Sequence, residues 1–112
     1  MTTILLIDAN DNPIPALRLR GDRGHVINAT TGSATRNSTA FLDDTKIVSV
    51  YATGAVHLMF GDNSVDAVTG VHYFPEGVYY DFAIGGYGVD HTPYLSVLAA
   101  DEDCTVYISE KV

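Results

Sequence analysis

Four histidines, His25, His57, His72 and His91, are the side chains best suited to hold a metal or move a proton near neutral pH. None stands two or four residues from another, the spacings that place two ligands on one face of a strand or helix. Each is therefore read as a surface or core residue, and a three-histidine metal site assembled by folding is the alternative. Asp62-Asn63-Ser64-Val65-Asp66 has oxygen-bearing side chains at the first, third and fifth positions of a calcium loop. The match then fails: Ala67 stands where such a loop needs glycine, and Tyr73 where it needs a bidentate glutamate. Asp8-Ala9-Asn10-Asp11-Asn12 begins in the same way and fails at Pro13. Both segments are read as turns in which Asp and Asn side chains bond their own backbone.

Nucleophilic and acid–base chemistry finds no better footing. The serines and threonines of residues 30–39 carry no GxSxG surround. Asp43-Asp44 and Asp101-Glu102-Asp103 are too close in sequence to face each other across a glycosidic bond, and both look like solvated turns. Gly85-Gly86-Tyr87-Gly88 lacks the spacing of a dinucleotide-binding loop and no helical pattern follows it. The residues thus point away from an enzyme and call for no cofactor. Seven tyrosines are the remaining chemical resource. Tyr80 shares the apolar face of its segment and is assigned to the core. Tyr79, Tyr87 and Tyr94 are the candidates for an exposed contact surface.

The elements that would position these residues read as strands. Residues 17–20 alternate apolar and charged, residues 21–24 form a turn, and residues 25–31 alternate again, with Ile27 and Ala29 opposing Val26 and Asn28. Residues 32–40 are small and polar, either an edge strand or a loop. Residues 46–52 and 55–60 flank Thr53-Gly54 and suggest a tight hairpin. Residues 61–70 form a polar loop, and residues 71–74 a short strand closed by Pro75-Glu76-Gly77. Residues 78–84 alternate most clearly, with Val78, Tyr80, Phe82 and Ile84 on one face and Tyr79, Asp81 and Ala83 on the other. Residues 94–99 and 104–109 are expected to pair around Asp101-Glu102-Asp103. Eight or nine short strands with regular turns and no helical period predict an all-β fold, an antiparallel β-sandwich that is jelly-roll-like.

Residues 1–15 stand apart. Ile4, Leu5, Leu6 and Ile7 form a short apolar run, severed from the rest by Pro13 and Pro15. They are expected to be an N-terminal arm or edge strand, and residues 16–112 a single β-sandwich domain. An arm of this kind can add as a strand to a neighbour's sheet edge, which makes these four residues interface candidates. An ordinary first strand of the same sandwich is the equal alternative.

Composition agrees with one globular domain. A chain of 112 residues, 46% hydrophobic and 18% charged, buries roughly two thirds of its unfolded surface without staples. Net charge is −8, from 14 acidic and six basic residues, which repels phosphate backbones and argues against nucleic acid as a partner. Cys104, the lone cysteine, sits in an apolar strand pattern and is read as a small buried hydrophobe. No signal peptide or membrane span is expected, so the sequons at Asn28 and Asn37 are read as ordinary polar residues.

From residue 46 onward the order of features resembles a known group. Val50-Tyr51-Ala52-Thr53-Gly54-Ala55-Val56-His57 leads into Leu58-Met59-Phe60-Gly61-Asp62. His72-Tyr73-Phe74-Pro75-Glu76-Gly77-Val78-Tyr79-Tyr80-Asp81 follows a polar loop, and the chain closes with residues 95–100 and 104–109. Residues 33–41 fit as the earlier strand. This resembles small virion structural proteins of tailed bacteriophages, among them the capsid decoration, or cement, proteins of short-tailed phages. The resemblance covers roughly residues 14–112 and rests on aromatic and glycine turn signatures. It implies a jelly-roll-like domain on the outer capsid surface of the virion, bound to the major capsid protein, often as a dimer and without catalytic residues. A glycan- or receptor-binding module on a head or tail fibre is the alternative function, with exposed tyrosines beside Asp and Asn as its site.

Overall fold

The computed structural model describes residues 9–10 and 18–111. Eight strands succeed one another with no helix among the described residues: β1 (Leu19–Ala29), β2 (Thr35–Arg36), β3 (Ile47–Ala52), β4 (Val56–Gly61), β5 (Tyr73–Phe74), β6 (Tyr79–Ala83), β7 (Tyr94–Ala99) and β8 (Cys104–Lys111). They form two four-stranded antiparallel sheets, ordered β1-β8-β3-β6 and β2-β7-β4-β5. The expected all-β sandwich is thus present. Residues 1–8 and 11–17, which carry the candidate arm with Ile4, Leu5, Leu6 and Ile7, lie outside the described residues.

The strand pattern explains the layers. In each strand, alternate residues turn inward, and the two inner faces meet in one core. Ile27 and Ala29 of β1, Val48 and Val50 of β3, and Val106 and Ile108 of β8 face Val56 and Leu58 of β4 and Leu95 and Val97 of β7. All ten are essentially without solvent contact. Phe41 and Ile84, from the connections at one end, close the core there. Fully burying one such side chain contributes about 1.5–3 kcal/mol, so these residues supply most of the drive to fold.

Two sequence expectations about pairing fail for one reason. Residues 46–52 and 55–60 are not a hairpin: β3 and β4 lie in different sheets, and Thr53-Gly54-Ala55 crosses between them. Residues 94–99 and 104–109 are likewise split between β7 and β8, one in each sheet. Every one of these strands is buried on its inner face, so consecutive strands satisfy the core by facing each other across it. Sheets stack about 10 Å apart, a distance that three extended residues can span. The crossing is tight at Gly54, where a Cβ would come within 2.8 Å of the Cys104 Cβ. Upstream, the expected turn at residues 21–24 is absorbed into β1 as a register irregularity between Leu19 and Gly24.

The two sheets differ on their outer sides. The β2-β7-β4-β5 sheet is partly covered by its own chain. The loop after β4 folds back so that Ala67 is buried and its amide donates to the Ser96 hydroxyl, 2.8 Å away. Arg36 of β2 holds this loop through the Val65 carbonyl (2.8 Å) and the Asp66 carboxylate (3.1 Å). The His57 ring meets the Val71 carbonyl at 3.0 Å. The outer face of the β1-β8-β3-β6 sheet carries several exposed large side chains instead.

Candidate functional site

The chemistry-bearing groups named above are dispersed over the fold, and most are spent on structure. His25 and Glu110 turn inward at one end of the sandwich. Glu110 is fully buried and accepts from four partners: Arg23 (2.8 Å), the Thr45 hydroxyl (2.6 Å), the Leu42 amide (2.9 Å) and His25, whose ring nitrogen lies 2.7 Å away. Arg23 also donates to the Ala40 carbonyl. Burial alone would raise the Glu110 carboxyl, but the hydrogen bonds from Thr45, His25, Leu42 and Arg23 outweigh it and hold the group below its ordinary value. This network ties β1 and β8 to the connection that carries Phe41. Glu110 itself is without solvent contact, while the Arg23 side chain reaches partly to the surface.

The remaining histidines do not join it, and no group of three or more metal-ligating side chains occurs among the described residues. Asp62 accepts from the Ser64 amide (2.9 Å) and the Ser64 hydroxyl (2.6 Å), and these bonds lower its carboxyl. The loop is thus closed as a turn by its own side chain. Cys104 is half-buried, and burial pushes its thiol up, away from the reactive thiolate. Asn37 is buried with its amide nitrogen on the Thr39 carbonyl (2.7 Å) and its oxygen accepting from the Leu95 amide (2.8 Å), so its side chain serves the fold.

The tyrosines are distributed differently from the sequence expectation. Tyr79, Tyr87 and Tyr94 do not share one surface. Tyr79 opens β6 and is 73% exposed. Tyr87 stands fully in solvent beyond the other end of that strand, on a turn closed by the Val89 amide and the Gly86 carbonyl. Gly86 and Gly88 take left-handed backbone there, which a residue with a Cβ resists. The length of β6 alone separates the two by about 17 Å. Tyr94 is half-buried at the start of β7, in the opposite sheet.

What β6 does bring together is a row that sequence reading missed. Val26 pairs with Tyr107, Tyr107 with Tyr51, and Tyr51 with Tyr79, one residue from each strand of the β1-β8-β3-β6 sheet. All four point outward, and the Tyr51 and Tyr79 rings pack at 4.8 Å. The next row, two residues along, is polar: Gly24, Ser109, Ser49 and Asp81. Asp81 accepts from the Ser49 hydroxyl and from Lys111 (3.0 Å), and those two partners lower its carboxyl. A depression of about 310 Å³ lies over this row, walled by Leu19 and Tyr79. The signal for these rows is register, which no single strand reveals.

Charge is also unevenly placed. The four connections at the end that starts β8 are residues 30–34, 53–55, 75–78 and 100–103. They carry Glu76, Asp101, Glu102 and Asp103, all exposed, and no lysine or arginine. Asp103 fixes this group by accepting from the Thr31 amide at 3.1 Å. The acidic charges of Asp103, Glu102 and Glu76 all reach the Cys104 thiol, which places them around one end of the sandwich.

No family model, no curated protein and no solved structure matches the chain.

Proposed function

We propose that the protein is a non-enzymatic structural component of a bacteriophage virion, bound to the outer capsid surface, where it reinforces contacts between shell subunits. The observation that carries this reading is the one-signed end of the sandwich, with Glu76, Asp101, Glu102 and Asp103 on adjacent loops and no basic residue among them. Such an end suits docking on a basic patch of a major capsid protein, and many weak copies on one shell act together. The wound strand order supports it. Strands pair first with last, second with seventh, third with sixth and fourth with fifth, an order compatible with the jelly-roll-like sandwich that the resemblance implies, an architecture common among viral shell and lectin domains. Fold alone licenses no function, so the charged end and not the topology bears the weight.

The test is co-sedimentation of purified protein with capsids that lack it, in low and high salt. Stoichiometric binding that weakens with salt, with capsids that disrupt at a higher temperature, is the expected outcome. Charge reversal by Asp101→Lys with Asp103→Lys is expected to abolish it. Absence of co-sedimentation at low salt rejects the reading.

A further inference from the structure

The depression on the outer face of the β1-β8-β3-β6 sheet brings an exposed aromatic ring beside a row of polar side chains. One wall is the Tyr79 ring, 73% exposed yet held in place by a strand and by the Tyr51 ring at 4.8 Å. An aromatic face kept open and rigid on a strand offers contact area at little conformational cost. The floor lies about 7 Å further along β6 and is polar throughout, with Asp81, Ser49, Ser109 and Lys111 presenting hydroxyl, carboxylate and ammonium groups. Ser49 and Lys111 both donate to Asp81, which fixes the carboxylate and keeps it ionised. A carboxylate has about four acceptor positions, so acceptor capacity remains after these two bonds. Gly24 stands across from Ser109, and a Cβ there would meet nothing within 4 Å, so β1 leaves the site open on its flank.

We infer that this depression binds a neutral hexopyranose, with the sugar's C–H face on Tyr79 and a pair of adjacent hydroxyls bridging Asp81 and Lys111. Three features choose this ligand class. The volume of about 310 Å³ is at the lower limit of small-molecule sites and suits a monosaccharide unit. An apolar ring beside a row of hydroxyls and a fixed ion pair matches a molecule with one apolar face and a polar rim. The local charge is balanced, Asp81 against Lys111, in a chain of net charge −8, so neither an anionic sugar nor a phosphate is favoured. A single shallow site of this kind binds weakly, and useful strength comes from many copies acting together. The inference is independent of capsid docking, which the acidic end carries.

The experiment uses the free, full-length protein. Backbone-amide NMR is recorded during titration with the methyl glycosides of galactose, glucose and mannose, each to saturating concentration. Saturable shifts confined to residues 49–51, 79–81 and 107–111 with at least one sugar are expected. Tyr79→Ala and Asp81→Asn should each weaken binding about tenfold or more, the loss expected when a stacking or a charge-assisted contact is removed. Tyr87→Ala, which removes a still more exposed aromatic outside the depression, should leave it unchanged. Unperturbed spectra elsewhere in the Tyr79 and Asp81 variants show that they still fold. No saturable shift with any of the three sugars overturns the inference. So does binding that survives both substitutions, or loss of capsid co-sedimentation in these variants without sugar binding, which would make the face a protein interface.

Discussion

Glu110 occupies an inward position of β8, one turn of the pleat beyond Ile108, where the strand pattern calls for an apolar side chain. It is tolerated because Thr45, His25, Leu42 and Arg23 satisfy it. Removing that charge leaves its donors buried without an acceptor. Glu110→Ala is expected to cost about 3–5 kcal/mol, read as a fall in the urea midpoint. The pH dependence follows from direction alone. A carboxyl held below its ordinary 4.5 in the folded state contributes stability above that pH, and the contribution fades as pH falls through the lowered value. Chemical denaturation followed from neutral to acid pH should show this loss in the native chain. The loss should be shallower in Glu110→Gln, whose baseline is already lower. Equal acid slopes in the two proteins would remove Glu110 from the account.

At the scale of elements, the crossing of the chain between sheets is the sensitive feature. The link from β3 to β4 passes β8 so closely at Gly54 that an added Cβ would lie 2.8 Å from Cys104 Cβ and 3.2 Å from its Sγ. Gly54→Val should therefore force β8 or the link to move, at a cost of about 1–3 kcal/mol. Gly32→Ala is the matched control, since a Cβ there meets nothing within 4 Å, and it should change stability little. Thermal unfolding of both variants checks this. A Gly54→Val midpoint equal to that of Gly32→Ala would mean that the link does not constrain the sandwich. Edge strands tell a related story. In the β2-β7-β4-β5 sheet the edges β2 and β5 are two residues each, too short to template pairing with another chain, while among the described residues the other sheet ends on the five-residue β6 and on β1, its longest strand at 11 residues.

At the scale of the whole molecule, the protein presents two unlike surfaces. One end of the sandwich is wholly acidic in its connections, and one sheet face is an uncharged aromatic row beside a balanced ion pair. The two should respond to salt in opposite ways. Binding through the acidic end should weaken steeply as salt rises, because exposed charges are screened over about 10 Å at moderate ionic strength. Binding at the sheet face should hold, because its contacts are apolar or within a fixed pair. Capsid co-sedimentation and sugar titration, each repeated across a salt series, separate the two, and a common salt dependence would contradict this division.

How far the residues alone lead can be judged from particular segments. Alternation set Ile27 and Ala29 on the face opposite Val26 and Asn28, set Tyr80 and Phe82 against Tyr79 and Asp81, and the polar run marked residues 61–70 as a loop. Those readings hold because the side-chain period of a strand is local and depends on one buried face. The partners of each strand were not legible. Thr53-Gly54 looked like a hairpin, and residues 94–109 like a pair, because a short link between two strands reads the same whether it turns within a sheet or crosses to the other. Glu110 gave no sign of its burial, since its four donors come from residues 23 to 45. The row of Val26, Tyr107, Tyr51 and Tyr79 spans four strands from both ends of the chain, and only register aligns it. By itself, then, the sequence determined an all-β chain with defined inner and outer residues. The tertiary structure decided which strands neighbour one another, and so which outward residues form a surface, because pairing depends on contacts between segments far apart in the chain.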